Sequence, residues 1–166
     1  MSTIHSEIEQ WVRLAKGDLP GHAFHGNQWS SIGDKISELA YRSGALHGLS
    51  NHLVNSKAYK TAGRMEEKGT RHGALAEEHR KIAQGLNKLS LKVSEKLGVQ
   101  HPLVKALDKA ERAHDLAAKE HEHFADIEGF SSSEAPKALS KSAHELTDQA
   151  LTEHYYHTAP NGDYAE

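Results

Sequence analysis

Between residues 75 and 97 the side chains that favour burial return in steps of four and three: Leu75, His79, Ile82, Leu86, Leu89, Val93 and Leu97. That spacing draws one narrow stripe down an α-helix, the seam along which helices pack. A strand buries every second residue and cannot use it. The segment ends with Gly98 as a left-handed cap, Val99 expected to fold back on the last turn, and Pro102 shortly beyond. Pro102 fits the first turn of a following helix, where its missing N–H costs nothing. From there Leu103, Leu107, Ala110, His114, Ala117, His121 and Phe124 repeat the alternation up to a stop before Gly129. Two long helices joined by a few residues must lie antiparallel.

Three further segments carry the same period. Residues 3–16 place Ile4, Ile8, Trp11 and Ala15 on one face, with Ser2 or Thr3 as cap and Gly17 as stop. A second segment starts at Ser30 or Ser31, has Asp34 in its first turn, and carries Ile32, Ile36, Leu39, Leu46, Leu49 and Leu53. Its glycines 33, 44 and 48 each cost up to ~1 kcal/mol against alanine, which implies a neighbour packed close by or a bend. The third segment, about 58–97, holds Gly63, Gly69 and Gly73 among charges in its first half, where a break is expected. The fifth begins at Ser131 to Ser133, because Pro136 is tolerated only in a first turn. Its stripe is Leu139, Ala143, Leu146 and Ala150, continued by His154 or His157. No alternating strand pattern of useful length occurs. The chain is therefore expected to be all-α: an elongated antiparallel bundle of about four to five helices with an N-terminal helix and a motif loop. The expected organisation is 1–29 as N-terminal helix and loop, 30–157 as bundle, and 158–166 as a flexible tail. Alanine at many seam positions implies close helix approach or a groove that a partner fills.

Composition narrows function by exclusion. A net charge of −3, with acids and bases interspersed, offers no field for phosphates, so no nucleic acid partner is expected. The absence of cysteine excludes disulfides, thiolate catalysis and cysteine-based zinc sites. No apolar run approaches the ~20 residues of a membrane span, and the first residues lack a signal-peptide pattern. The chain reads as a protein made inside the cell that does not enter a membrane.

The 14 histidines require a separate argument. Glu111-x-x-His114 and Glu120-x-x-His123 have the spacing of carboxylate-bridged di-iron bundles, but that chemistry needs one such pair on each of two helices and a glutamate from each of two others. Here both pairs fall on one helix, about two and a half turns apart. His121 and His123 face different directions, and no pair of histidines at i, i+4 encloses a glutamate in the zinc-protease manner. No metal or other cofactor is expected. A metal-binding bundle is kept as the alternative, with His114, His121, His154 and His157 as its candidate ligands and His22 with His25 converging in the loop. At seam positions His79, His114 and His121 read instead as amphipathic packing residues with a hydrogen-bonded nitrogen. Serines read as caps and polar-face residues. Without a nucleophile elbow or a phosphate-cradling loop, no enzymatic activity is expected. Buried histidines that must stay neutral predict a fold that weakens as pH falls from 7 to 5.

One stretch is unlike the rest: Asp18 to Trp29, DLPGHAFHGNQW. Pro20-Gly21 and Gly26-Asn27 are turn signals. Phe24 and Trp29 are rigid apolar anchors, and the Asn27 and Gln28 amides donate and accept together. Such a loop either pins down its own bundle or presents its anchors to another chain. The two are compatible. The string Gly17–Trp29 resembles a short element, Gly-His-x-Phe-(Arg/His)-Gly-Asn-Gln-(Trp/Tyr), of virion and head-morphogenesis proteins of tailed phages infecting actinobacteria. Gly21, His22, Phe24, His25, Gly26, Asn27, Gln28 and Trp29 match it. The resemblance covers 13 of 166 residues. It implies a non-enzymatic structural or accessory protein of the virion, made in the host cytoplasm, most simply a minor capsid (head) protein. Those eight residues would then contact the major capsid protein, another head protein or a second copy of this chain. A transient scaffolding protein is the alternative within the same context, although such proteins are often more highly charged.

Overall fold

The computed structural model describes residues 28–55, 62–126 and 134–158. Four helices account for nearly all of them: α1 Gln28–Asn55, α2 Ala62–Leu97, α3 Pro102–Asp126 and α4 Glu134–Tyr156. Among the described residues there is no extended sheet, as the periodicity requires. The segment expected at residues 3–16 lies outside the described residues, as do residues 159–166 of the expected tail. With 36 residues, α2 is ~54 Å long.

The helix limits follow local chemistry. The α2–α3 turn contains Gly98 at φ +87°, the left-handed conformation in which a Cβ would be strained. Its N–H donates to the Ser94 carbonyl at 2.9 Å. Val99 does not fold back, being 68% exposed; the turn places it at the tip of the bundle. Pro102 is the first residue of α3, and the His101 imidazole caps that helix by accepting the Leu103 N–H at 3.1 Å. Pro136 lies within the first turn of α4. Two expectations are corrected. First, α1 begins two residues before Ser30, so the end of the motif is already helical. Second, α2 runs unbroken past Gly63, Gly69 and Gly73, although each glycine costs a helix up to ~1 kcal/mol.

The helices pack in a ring, α1 on α2, α2 on α3, α3 on α4 and α4 on α1, in up-down-up-down order. Cross-helix partners show the antiparallel register. Ser90 meets Asp108 close to the α2–α3 turn, and His79 meets His114 and His72 meets His121 progressively further from it. Along α4, Thr147 meets His114 and Ser140 meets His121. Gly33 of α1 faces the His154 ring of α4, so α1 starts at the end of the bundle where α4 finishes and α2 turns into α3. Gly44 similarly faces the His144 ring, and Gly85 receives Leu39, whereas Gly48 has no such neighbour. Close approach therefore explains Gly33 and Gly44 of α1.

A seven-residue step selects the positions that face the bundle axis. They are Ile36, Ser43 and Ser50 on α1; His72, His79, Leu86 and Val93 on α2; Leu107, His114 and His121 on α3; and Ser140, Thr147 and His154 on α4. All are at most 2% exposed. The axis is thus divided. Toward the α2–α3 turn it is filled by Ile32, Ile36, Leu86, Leu89, Val93, Leu103 and Leu107, with His154 the one buried imidazole among them. Toward the opposite end it is filled by imidazoles and hydroxyls, walled by Leu46, Leu75 and Ile82. Alanines 110, 117, 143 and 150 are fully buried between the helices and permit the close packing inferred from sequence.

Candidate functional site

The predicted docking residues divide at the helix start. Gly21, His22, Phe24, His25, Gly26 and Asn27 lie outside the described residues, while Gln28 and Trp29 form the first turn of α1. The densest chemistry among the described residues lies instead in the imidazole–hydroxyl half of the core.

There a single hydrogen-bonded chain crosses three helices, and its proton positions follow from one end. Thr147 Oγ1–H donates to the Ala143 carbonyl at 2.7 Å, so the same oxygen must accept from His114 Nε2–H at 2.8 Å. A neutral His114 then has a bare Nδ1, which accepts from His79 Nδ1–H at 2.9 Å. His79 is left with a bare Nε2, which accepts from the Ser140 hydroxyl at 2.9 Å. Ser140 Oγ, its proton committed, accepts from His121 Nε2–H at 3.1 Å, and Ser50 Oγ lies 3.2 Å from Ser140 and 3.1 Å from the same nitrogen. His121 Nδ1 therefore accepts from His72 Nδ1–H at 2.8 Å. Using every contact fixes one direction of donation, from His72 to the Ala143 carbonyl, with His79, His114 and His121 each carrying a single proton. The rings also stack loosely: centroids are 5.0 Å apart for His72–His121, 5.4 Å for His79–His121 and 5.1 Å for His79–His114.

Burial enforces the same neutral state. Desolvation, reinforced by His114 and His121, holds His79 well below its ordinary value. Burial, then His144, lowers His114 to about 3. Burial, then His72, lowers His121 to about 3. His154, at the other end of the bundle, is lowered to about 4 by burial. Among the described residues no carboxylate hydrogen-bonds to the His79, His114 or His121 rings; their partners are imidazoles and hydroxyls.

At the edge of this region Ser43 Oγ–H donates to the Ala40 carbonyl at 2.9 Å and accepts from His144 Nδ1–H at 2.9 Å. The other His144 nitrogen faces Asp148 at 3.4 Å. His47, nearby on α1, is lowered by burial and then by His144, and its Nδ1 is buried without a hydrogen-bond partner among the described residues.

The four candidate metal ligands are not brought together. His114 and His121 belong to different imidazole pairs, His154 packs on Gly33, and His157 bonds Glu153 at 3.2 Å and sits against the His101 ring. Among the described residues no group of three or more histidine or carboxylate side chains has the geometry to hold a metal ion. The Glu111 carboxylate accepts from Asn87, away from His114, and His123 is exposed, so neither Glu-x-x-His pair assembles.

Sequence reading found His79, His114 and His121 but not His72, and it placed the serines on polar faces. Ser43, Ser50, Ser140 and Thr147 are in fact buried. The signal was present in the seven-residue steps that join them to recognised core positions. It was missed because a hydroxyl scores as polar until its partner on another helix is known. No described helix is long and apolar enough to cross a membrane. Comparison with protein-family models, with characterised proteins and with solved structures finds no match to this chain.

Proposed function

We propose that the chain is a non-enzymatic structural or accessory protein of a tailed-phage virion, a minor head protein that docks through residues 21–29. Its partner is the major capsid protein, another head protein or a second copy of itself. The observation that carries this reading is the string Gly17–Trp29, with its eight matching residues, running directly into the first turn of α1. The bundle suits such a role as a stiff support. The end from which the string leads holds three exposed apolar side chains, Val99, Tyr155 and Tyr156, beside the α2–α3 turn and the end of α4. Apolar anchors gathered at one end of a rigid body are what a small docking surface requires.

The test is particle incorporation. Phe24→Ala combined with Trp29→Ala should keep the helical content of the isolated protein and remove it from purified particles, as read by mass spectrometry. Wild-type incorporation of the folded double variant would rule out docking through this string. Unfolding of the variant would assign both aromatics to the bundle's own packing.

A further inference from the structure

We propose that the buried imidazole–hydroxyl chain is a pH-operated latch on one half of the bundle: it closes only while its imidazoles are uncharged, and an added proton opens the helices around it while the Leu86 half stays packed.

The geometry carries this. Each Nδ1···Nδ1 contact, at 2.8 and 2.9 Å, holds a single proton. Protonating His114 puts hydrogens on both sides of its contact with His79, which repel at that distance. His79 can relieve the repulsion only by moving its own proton to Nε2, where it meets the Ser140 hydroxyl hydrogen. Ser140 must then give up that bond, and its hydroxyl can turn to Ser50 Oγ at 3.2 Å while still accepting from His121 Nε2–H. A charge at one ring therefore reverses the donors from His114 to Ser140 and leaves an imidazolium fully buried among imidazoles and hydroxyls. An apolar core has no such dependence.

Among the described residues no carboxylate hydrogen-bonds to the His79, His114 or His121 rings. On α2, the Glu78 carboxylate accepts from Lys81, and Arg80 pairs with Glu122 of α3. Glu111 of α3 accepts from Asn87, and on α4 His144 lies against Asp148. Lys137 and Lys141 of α4 help to lower His47 of α1, and Ser50 of α1 meets His121 and Ser140. A metal ion is an inferior reading of the same rings. The nitrogens meet in pairs along hydrogen bonds, and among the described residues no third ligand converges on either pair.

The sign follows from linkage. In the fold His114 and His121 stay neutral to about pH 3, whereas in an opened segment they take up protons below their ordinary value near 6.5. Closure is complete above neutral pH and is lost progressively as pH falls below 6.5. Between pH 7 and 5 each of these histidines raises the opening constant by about 25-fold, and the two together by about 600-fold. The proposal is independent of the virion reading, since it concerns only the bundle's own core.

Hydrogen exchange of the intact wild-type chain at pH 7 and pH 5, corrected for intrinsic rates, tests it. Opening constants for amides at 72–82 and 114–124 should rise by at least about 600-fold, and those around Leu86–Val93 and Leu103–Leu107 by no more than the ~20-fold that His154, lowered to about 4 by burial, contributes at that end. No rise, or an equal rise in both halves, overturns the latch. His79→Leu with His114→Leu should remove at least one 25-fold factor from the first group; an unchanged pH response in a folded variant also overturns it. Stoichiometric zinc or nickel that protects the same amides at pH 7 would replace the latch with a metal site.

Discussion

The two halves of this bundle share one backbone geometry and one seven-residue repeat, yet they are held together by different physics. Around Leu86, Val93 and Leu107 the axis positions are aliphatic except for His154, and each fully buried aliphatic side chain contributes about 1.5–3 kcal/mol irrespective of pH or of the exact partner. Around His79, His114 and His121 the same positions are polar, and each hydrogen bond contributes only about 0.5–1.5 kcal/mol net. What the polar half adds is selectivity. A one-turn slip of α3 against α2 costs an aliphatic layer little, but it would leave buried nitrogens without partners at 1–3 kcal/mol apiece. Stability thus resides mainly at one end, and register together with pH sensitivity at the other.

Substitutions should separate the halves by mechanism as well as magnitude. The largest effect is expected from Leu86→Ala, which empties a fully buried aliphatic site and should cost about 3–5 kcal/mol in denaturant unfolding, equally at pH 7 and pH 6. His79→Ala should cost about 2–4 kcal/mol at pH 7, because it leaves His114 Nδ1 and the Ser140 hydroxyl unpaired. The difference from wild type should narrow toward pH 5, where the variant no longer has that ring to keep neutral. If both variants lose stability with the same pH profile, the division into halves fails. Gly33→Ala should cost about 1–3 kcal/mol, since the new Cβ would lie 2.9 Å from His154 Cδ2 and closer still to Nε2, in a site where the ring is buried. The smallest effect is expected for the exposed Arg80–Glu122 pair, at 2.7 Å: a double-mutant cycle should return at most about 1 kcal/mol, and less in high salt.

How far the sequence could be read divides along the same line. The aliphatic half was legible residue by residue, because Leu86, Leu89, Val93, Leu103 and Leu107 announce burial by type as well as by spacing. Helix ends were legible where a single residue dictates the backbone, as at Gly98, Pro102 and Pro136. The polar half was half legible: His79, His114 and His121 sat on the seam, but their partners were Ser50, Ser140 and Thr147, which are distant in sequence and ordinary on any helix surface. His72 does not announce itself, because the glycines around it read as a break in the helix. In each case the missing information was a pairing across helices, which composition and period do not encode. The candidate ligands His114, His121, His154 and His157 show the same limit, since spacing along one helix does not say what faces it from the next.

The central claim is that the core imidazoles are neutral and their protons ordered in one direction. Long-range ¹⁵N–¹H correlation spectra of the imidazole rings at pH 7 test it most directly. The account predicts His114 protonated on Nε2, His79 on Nδ1 and His121 on Nε2, with these signals kept at pH 6 in the folded protein. Imidazolium signals from these rings in the folded state, or rapid averaging between both tautomers, would contradict it.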